Sequence, residues 1–170
     1  MTSRRDIGSA ITRRAFTSGL ATLWACGGGG NGVSGGKLAQ ATRDFLLAAT
    51  TFELVAVHPD WSLTPDAMPE GVTEIMHQHG VLGRAKVEAA DERTEMANLI
   101  DEAIGSGGNG AAACFNPRHA VSASQGDRRI DILICFECAA LQVWEGDAAK
   151  PVSYVIGHAE PLSVMIKTEG

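Results

Sequence analysis

Three of the four cysteines lie within one short stretch of this 170-residue chain. It reads Cys114-Phe-Asn-Pro-Arg-His119, then a strand–turn–strand pattern, then Cys135-Phe-Glu-Cys138. Cysteine thiolates and a neutral imidazole are the donor set of structural zinc, and Cys135-x-x-Cys138 has the spacing of a zinc knuckle. A hairpin brings the ends of its strands together, so Cys114, His119, Cys135 and Cys138 are expected to converge as a Cys3His site, with zinc as the cofactor. The same residues allow other chemistry. Cys135 and Cys138 could close a disulfide with Cys114 buried and free. Cys114 could pair with one of them across the hairpin, or all three could pack as small apolar groups. A thiol/disulfide pair could be redox-active, and Cys114 with His119 could serve as nucleophile and base. Arg118, inside the cluster, is placed to screen thiolate charge or to pair with Asp131 or Glu137.

A secondary candidate is His77-Gln-His79. On a strand these two imidazoles share a face and supply two metal ligands. With either His pair or the Cys/His centre, a zinc-dependent hydrolase would need an open coordination position, whereas a structural site is closed. The zinc-protease pattern His-Glu-x-x-His is absent, and no paired carboxylates stand at a spacing that demands catalysis.

The elements that must hold these residues follow from periodicity. Residues 37–49 predict a helix with Leu38, Ala41, Phe45 and Ala48 near one face. Residues 52–57 predict a strand closed by His58-Pro59, and 60–71 a loop in which Trp61 covers the core edge. Residues 81–87 predict a strand with Val81, Gly83, Ala85 and Val87 on one side. The clearest helix is Asp91–Ile104, with Asp91 as N-cap and Met96, Leu99, Ile100, Ala103 and Ile104 as its apolar face. Residues 119–124 and 129–136 predict a hairpin with Ile130, Ile132 and Ile134 on one face and Asp131, Leu133 and Cys135 on the other. Residues 141–145, 152–156 and 162–167 predict the last three strands. Strands with one or two helices in mixed order imply a single α+β domain with a mostly antiparallel sheet.

The N-terminus reads as an address. Residues 1–26 are an export signal with a lipobox-like end, residues 27–36 a Gly-rich linker, and residues 37–170 the folded domain behind this disordered signal and tether. Ala15 to Ala25 is too short to span a bilayer and has the proportions of a signal-peptide core. Thr-Arg13-Arg14-Ala-Phe16 resembles the twin-arginine export signal, whose pathway carries chains already folded. Leu23-Trp-Ala-Cys26 resembles a lipobox, which implies lipid on Cys26 and a membrane anchor at the cell envelope. Four arginines against one aspartate give residues 1–25 a charge of +3, leaving −9 on the rest of a chain whose net charge is −6. Such an acidic domain repels phosphate backbones, which argues against nucleic acid as a partner. The sequence does not single out a protein or small-molecule partner.

Cys114-Phe-Asn-Pro-Arg-His119, the run Arg129-Ile-Asp-Ile-Leu-Ile-Cys135 with Phe-Glu-Cys138, and the upstream His79-Gly-Val-Leu-Gly83 resemble a family of small uncharacterised bacterial proteins. These carry a Cys-Phe-x-Pro-Arg-His … Cys-Phe-x-Cys pattern. The resemblance spans roughly residues 50 to 145 and implies a shared Cys/His centre, without an activity attached to it.

The address reading makes a direct prediction. Replacing Arg13 and Arg14 together by Lys retains the protein in the cytosol, and Cys26→Ala releases it from the membrane fraction. Cell fractionation checks both, and unchanged export and attachment in the two variants would refute the reading.

Overall fold

Isoleucines at 130, 132 and 134 alternate with Asp131, Leu133 and Cys135, so one strand must present an apolar row to each side of a sheet. In the computed structural model this strand lies within a seven-stranded, wholly antiparallel sheet. The structure describes residues 36–61, 68–72, 74–108 and 115–169, so the expected signal, most of the expected linker and Cys114 lie outside it. The strands are β1 (Thr51–Trp61), β2 (Glu74–Met76), β3 (His79–Lys86), β4 (His119–Gln125), β5 (Arg128–Cys135), β6 (Ala140–Glu145) and β7 (Val152–Val155). The helices are α1 (Gln40–Ala48), α2 (Ala90–Gly105) and α3 (Glu160–Glu169). The sheet order is β2-β3-β1-β4-β5-β6-β7. The domain is α+β, as the mixed element order implies.

The isoleucine face is covered by the three helices. Phe45 and Leu46 of α1, Met96 and Ile100 of α2, and Leu162 and Ile166 of α3 pack with Phe52, Leu54, Val121, Ile132, Ile134 and Leu141 in one core. The other face holds a second cluster of Val55, Val57, Met76, Val81, Ala120 and Leu133, drawn from strands alone, with Phe115 and Trp144 packed against it. It is covered by the sheet's own curl. Register shifts between Ala56 and Val57 and between Val57 and Trp61 interrupt the β1–β3 ladder. Such irregularities sharpen twist and bend a strand, and the β2–β3 hairpin turns back over the face of β5.

Several sequence expectations meet corrections here. β1 continues through Pro59 to Trp61, because the missing proline N–H falls where the ladder is already broken. In α1 the buried row is Leu38, Thr42, Phe45, Leu46 and Ala49, while Ala41 and Ala48 are exposed. Thr42 belongs to that row because its hydroxyl donates to Glu145 Oε1 at 3.0 Å. Asp91 is not the N-cap of α2. That position is Ala89, without a side-chain cap, and Asp91 lies in the first turn beside Glu92, where the helix dipole favours acids. The start of α2 is tied instead by Arg93, which donates to the carbonyls of Val87 at 2.9 Å and Ala49 at 3.0 Å. Val81 and Val87 serve opposite cores, because the register shift in β3 inverts the alternation. Residues 162–167 form part of α3, not a strand. Leu162 and Ile166, four apart, are the buried pair, and Pro161 suits a first helical turn.

One close approach fixes the far end. A Cβ on Gly107 would collide with the carbonyl of Val155, and one on Gly157 with the carbonyl of Ser106. Here α2 and the end of β7 touch backbone to backbone, and Gly157 N–H donates to Ala103 O at 2.8 Å.

Met96, Ile100, Ala103 and Ile104 are wholly buried, and Leu99 is partly buried against the same core. Ile100→Ala is therefore expected to cost about 2–5 kcal/mol by loss of burial and the cavity left behind, and Leu99→Ala less. Urea unfolding midpoints measure both, and equal losses would refute this placement of the helix face.

Candidate functional site

The hairpin formed by β4 and β5 pairs His119 with Ile134 and Gln125 with Arg128. β5 ends at Cys135, and residues 136–139 turn back into β6. Within this turn Cys135 and Cys138 are joined as a disulfide. Both are buried, packed with Ala140 and Phe115. Each sulfur accepts a backbone N–H: Cys138 N–H donates to Cys135 Sγ at 3.2 Å, and Asn116 N–H donates to Cys138 Sγ at 3.3 Å. Cys135 and Phe136 form part of the wall of a recess of about 230 Å³, with Asn116, Arg118, His119 and Lys167 around it.

His119 stands on this recess without joining the sulfurs. It shares a face with Ile134, its ladder partner, and its ring lies 5.7 Å from that of Phe136. Cys135 leaves β5 on the opposite side. Burial lowers the His119 pKa, and the charges of Lys167 and Arg118 lower it further, so its ring is held neutral. Cys114, the remaining member of the expected set, lies outside the described residues. Among the described residues no group of three His, Cys, Asp or Glu side chains is arranged to hold a metal ion. Arg118 does not pair with Asp131. Its side chain faces the recess, and its carbonyl accepts the N–H of Val57 at 2.9 Å.

The second constellation is centred on Asp131, at 2% exposure on the helix-free face. Its carboxylate accepts from Ser122 Oγ at 2.6 Å, from Arg129 Nε at 2.7 and 3.0 Å, and pairs with His77 Nε2 at 2.8 Å. Burial pushes the carboxyl up; the bonds from His77, Ser122 and Arg129, with the Arg129 charge, outweigh this and hold it below the ordinary value. His77 and His79 do not alternate along a strand as the spacing suggests. Met76 and His79 close the β2–β3 ladder, and His77 and Gln78 form its two-residue turn with φ of 48° and 71°. Positive φ at both central residues defines the hairpin turn that Asn-Gly usually fills. Held by non-glycine residues, such backbone costs about 1–3 kcal/mol per residue, and persists where its surroundings fix it. What fixes it is visible: His77 reaches Asp131 and stacks on Trp144, with centroids 4.3 Å apart and planes within 13°. His79 is buried, and among the described residues its Nδ1 has no hydrogen-bond partner; nor have the buried Trp144 Nε1 and Asn116 Oδ1.

Ser122, Arg129 and Trp144 were not singled out by sequence, and Asp131 only as a partner for Arg118. The signal for Asp131 was present: one carboxylate on a strand face otherwise apolar. The others become neighbours only through the register, which sets Ser122 and Trp144 on either side of Asp131. Comparison of the chain with family models, with curated proteins and with solved structures yields no match.

Burial, and secondarily the charge of His77, lower the His79 pKa from 6.5 to about 4. The fold thus favours the neutral ring, and the unfolded chain binds the extra proton first. The contribution of His79 to stability is whole above about pH 6.5 and is lost as pH falls towards about 4. The depressed Asp131 carboxyl acts at lower pH, its stabilisation being lost as pH falls below 3.8 and through its folded value. In His79→Phe the loss between pH 6.5 and 4 should be smaller than in the parent chain. Denaturant unfolding across that range measures it, and parallel curves would refute the assignment.

Proposed function

We propose that the chain is an exported, lipid-anchored envelope protein whose Cys135–Cys138 pair exchanges electrons with thiols of that compartment. The export part rests on Arg13-Arg14 and Cys26. The observation that carries the chemical part is the disulfide set beside a recess bearing Arg118, His119 and Lys167. A disulfide between residues only three apart removes little entropy from the unfolded chain, about 2 kcal/mol, and the β5–β6 turn is already closed by its ladder. Stability alone is a weak reason for it. Arg118 and Lys167 line the same recess as Cys135; cations beside a cysteine favour thiolate over thiol, and an N–H directed at a sulfur does the same.

The step is a thiol–disulfide exchange. An incoming thiolate bonds to Cys135 Sγ, the Cys135–Cys138 bond breaks, and its electron pair leaves on Cys138 Sγ, where the Asn116 N–H receives the charge. A second thiolate attacks the mixed disulfide at the incoming sulfur and releases Cys135 as thiolate. Two electrons pass from two substrate thiols, which become a disulfide, to the cysteine pair; the two thiol protons reach Cys135 and Cys138 through solvent.

Equilibration with glutathione buffers followed by alkylation of free thiols is expected to give a potential of about −180 to −270 mV, the range of exchange catalysts. A potential below about −300 mV, or reduction only on unfolding, would overturn the proposal. Tight zinc uptake by the reduced protein, with all of Cys114, Cys135 and Cys138 protected, would put the structural zinc site in its place.

A further inference from the structure

The Asp131 constellation lies apart from the disulfide and has no part in thiol exchange. An ionised carboxylate accepts hydrogen bonds and cannot donate, so in its pair with Asp131 Oδ2 the His77 Nε2 must carry the proton. The neutral ring therefore keeps its lone pair on Nδ1. That nitrogen has no hydrogen-bond partner among the described residues, and the His77 side chain is 15% exposed. The ring is also prevented from turning, by the stack on Trp144 and by the bond to Asp131. Ser122 is not a nucleophile for this base, because its hydroxyl is bound to Asp131 and not to His77.

The polar groups left over around this base are mainly donors. Trp144 Nε1 can only donate, and it is buried without an acceptor among the described residues. Arg129 uses its Nε on Asp131, and its two terminal nitrogens have no partner among the described residues, at 44% side-chain exposure. His79 Nδ1 is buried and has no partner among the described residues, at 6% residue exposure. Asp131 and Arg129 cancel in charge, so protonation of His77 would leave the patch with one positive charge surrounded by unfilled donors. From β5 the ring meets Asp131 and Arg129, from β3 it meets His79, from β4 the uncharged Ser122, and from β6 the uncharged Trp144. Of the described charged residues further along the face, Glu53, Glu74 and Arg84 are tied to one another, and Lys86, the ladder partner of Glu53, is exposed.

We propose that this helix-free face is a second site, which takes a small oxyanion of the carboxylate or phosphate class, and that His77 takes up a proton as the anion binds. The anion accepts from the free end of Arg129, while the new Nδ1–H of His77 supplies the second donor and the balancing charge. Asp131 is a positioning residue in this scheme: it fixes the tautomer and steadies the imidazolium.

Acetate and inorganic phosphate are the probes, titrated calorimetrically into the full chain at pH 6 and 8.5, in two buffers of different ionisation heat. Saturable binding of at least one is expected, tighter at pH 6 than at pH 8.5, with up to one proton taken up on binding at pH 8.5. His77→Gln should abolish the proton uptake, with His77→Asn, which tolerates positive φ, as the second variant if the first fails to fold. Arg129→Gln should weaken binding without abolishing the uptake. Nitrogen NMR of the parent chain without anion should show the Nε2–H tautomer of His77 at pH 8.5. No saturable binding of either probe, binding equal at both pH values, or an Nδ1–H tautomer would each overturn the proposal, whatever the potential of the disulfide.

Discussion

A carboxylate buried at 2% exposure in the middle of a sheet is the constraint on which the helix-free half of this domain depends. Removing a carboxylate from water costs several kcal/mol unless bonds on both oxygens restore what water supplied. Ser122 and Arg129 are presented by the same hairpin and satisfy part of that demand locally. His77 comes from 54 residues away, and its bond pins the β2–β3 edge across the face of β5. The cost of the left-handed turn at His77 and Gln78 is offset by that bond and by the stack on Trp144. Satisfying one charge thus curls the sheet, buries Met76 and Val81, and spares this face a layer of helices.

The same strand carries the other centre. Asp131 and Cys135 lie on one side of β5, four residues and about 13 Å apart at the rise of an extended chain. Leu133 stands between them, and Phe115 packs with both the Leu133 cluster and the disulfide. The chemistry at the two ends differs because the environments differ. Sulfur tolerates the apolar wall of Phe115 and Ala140, whereas the carboxylate needs every bond that the register brings to it.

Much of this was legible in the sequence. The alternation of residues 129–135, the turn after Gln125 and the Met96/Ile100/Ala103 stripe each obey a single period, and each is found where that period places it. What was not legible depends on distant partners. Thr42 is buried in α1 because Glu145 meets it from β6, and Arg93 replaces an N-cap because two carbonyls from other segments converge on it. Residues 162–167 carry strand-forming side chains, yet their contacts with α2 reward a four-residue spacing and the helix wins. His77 and His79 share no strand face because the turn falls on His77 itself. For the cysteines, spacing was compatible with both a zinc knuckle and a disulfide; which of these the chain adopts depends on oxidation state, and spacing carries no record of that.

The position of β1 in the sheet has a consequence for how the chain reaches this state. β4 to β7 form a meander of neighbours, each joined to the next by a short connection, and such local contacts close quickly. β1 is different. It lies between β3 and β4, and the bond of Thr50 to Ser124 spans 74 residues. Closing so long a loop costs entropy before any ladder repays it. Until it closes, the meander is left with a bare edge at β4, and β1 with only one neighbour. An unpaired edge of that kind is a template for pairing with another copy. Joining the two halves of the sheet is therefore the slow and exposed step. A chain carried across a membrane unfolded would have to take it on arrival; one carried already folded, as the export reading proposed from Arg13-Arg14 implies, would arrive with that edge covered.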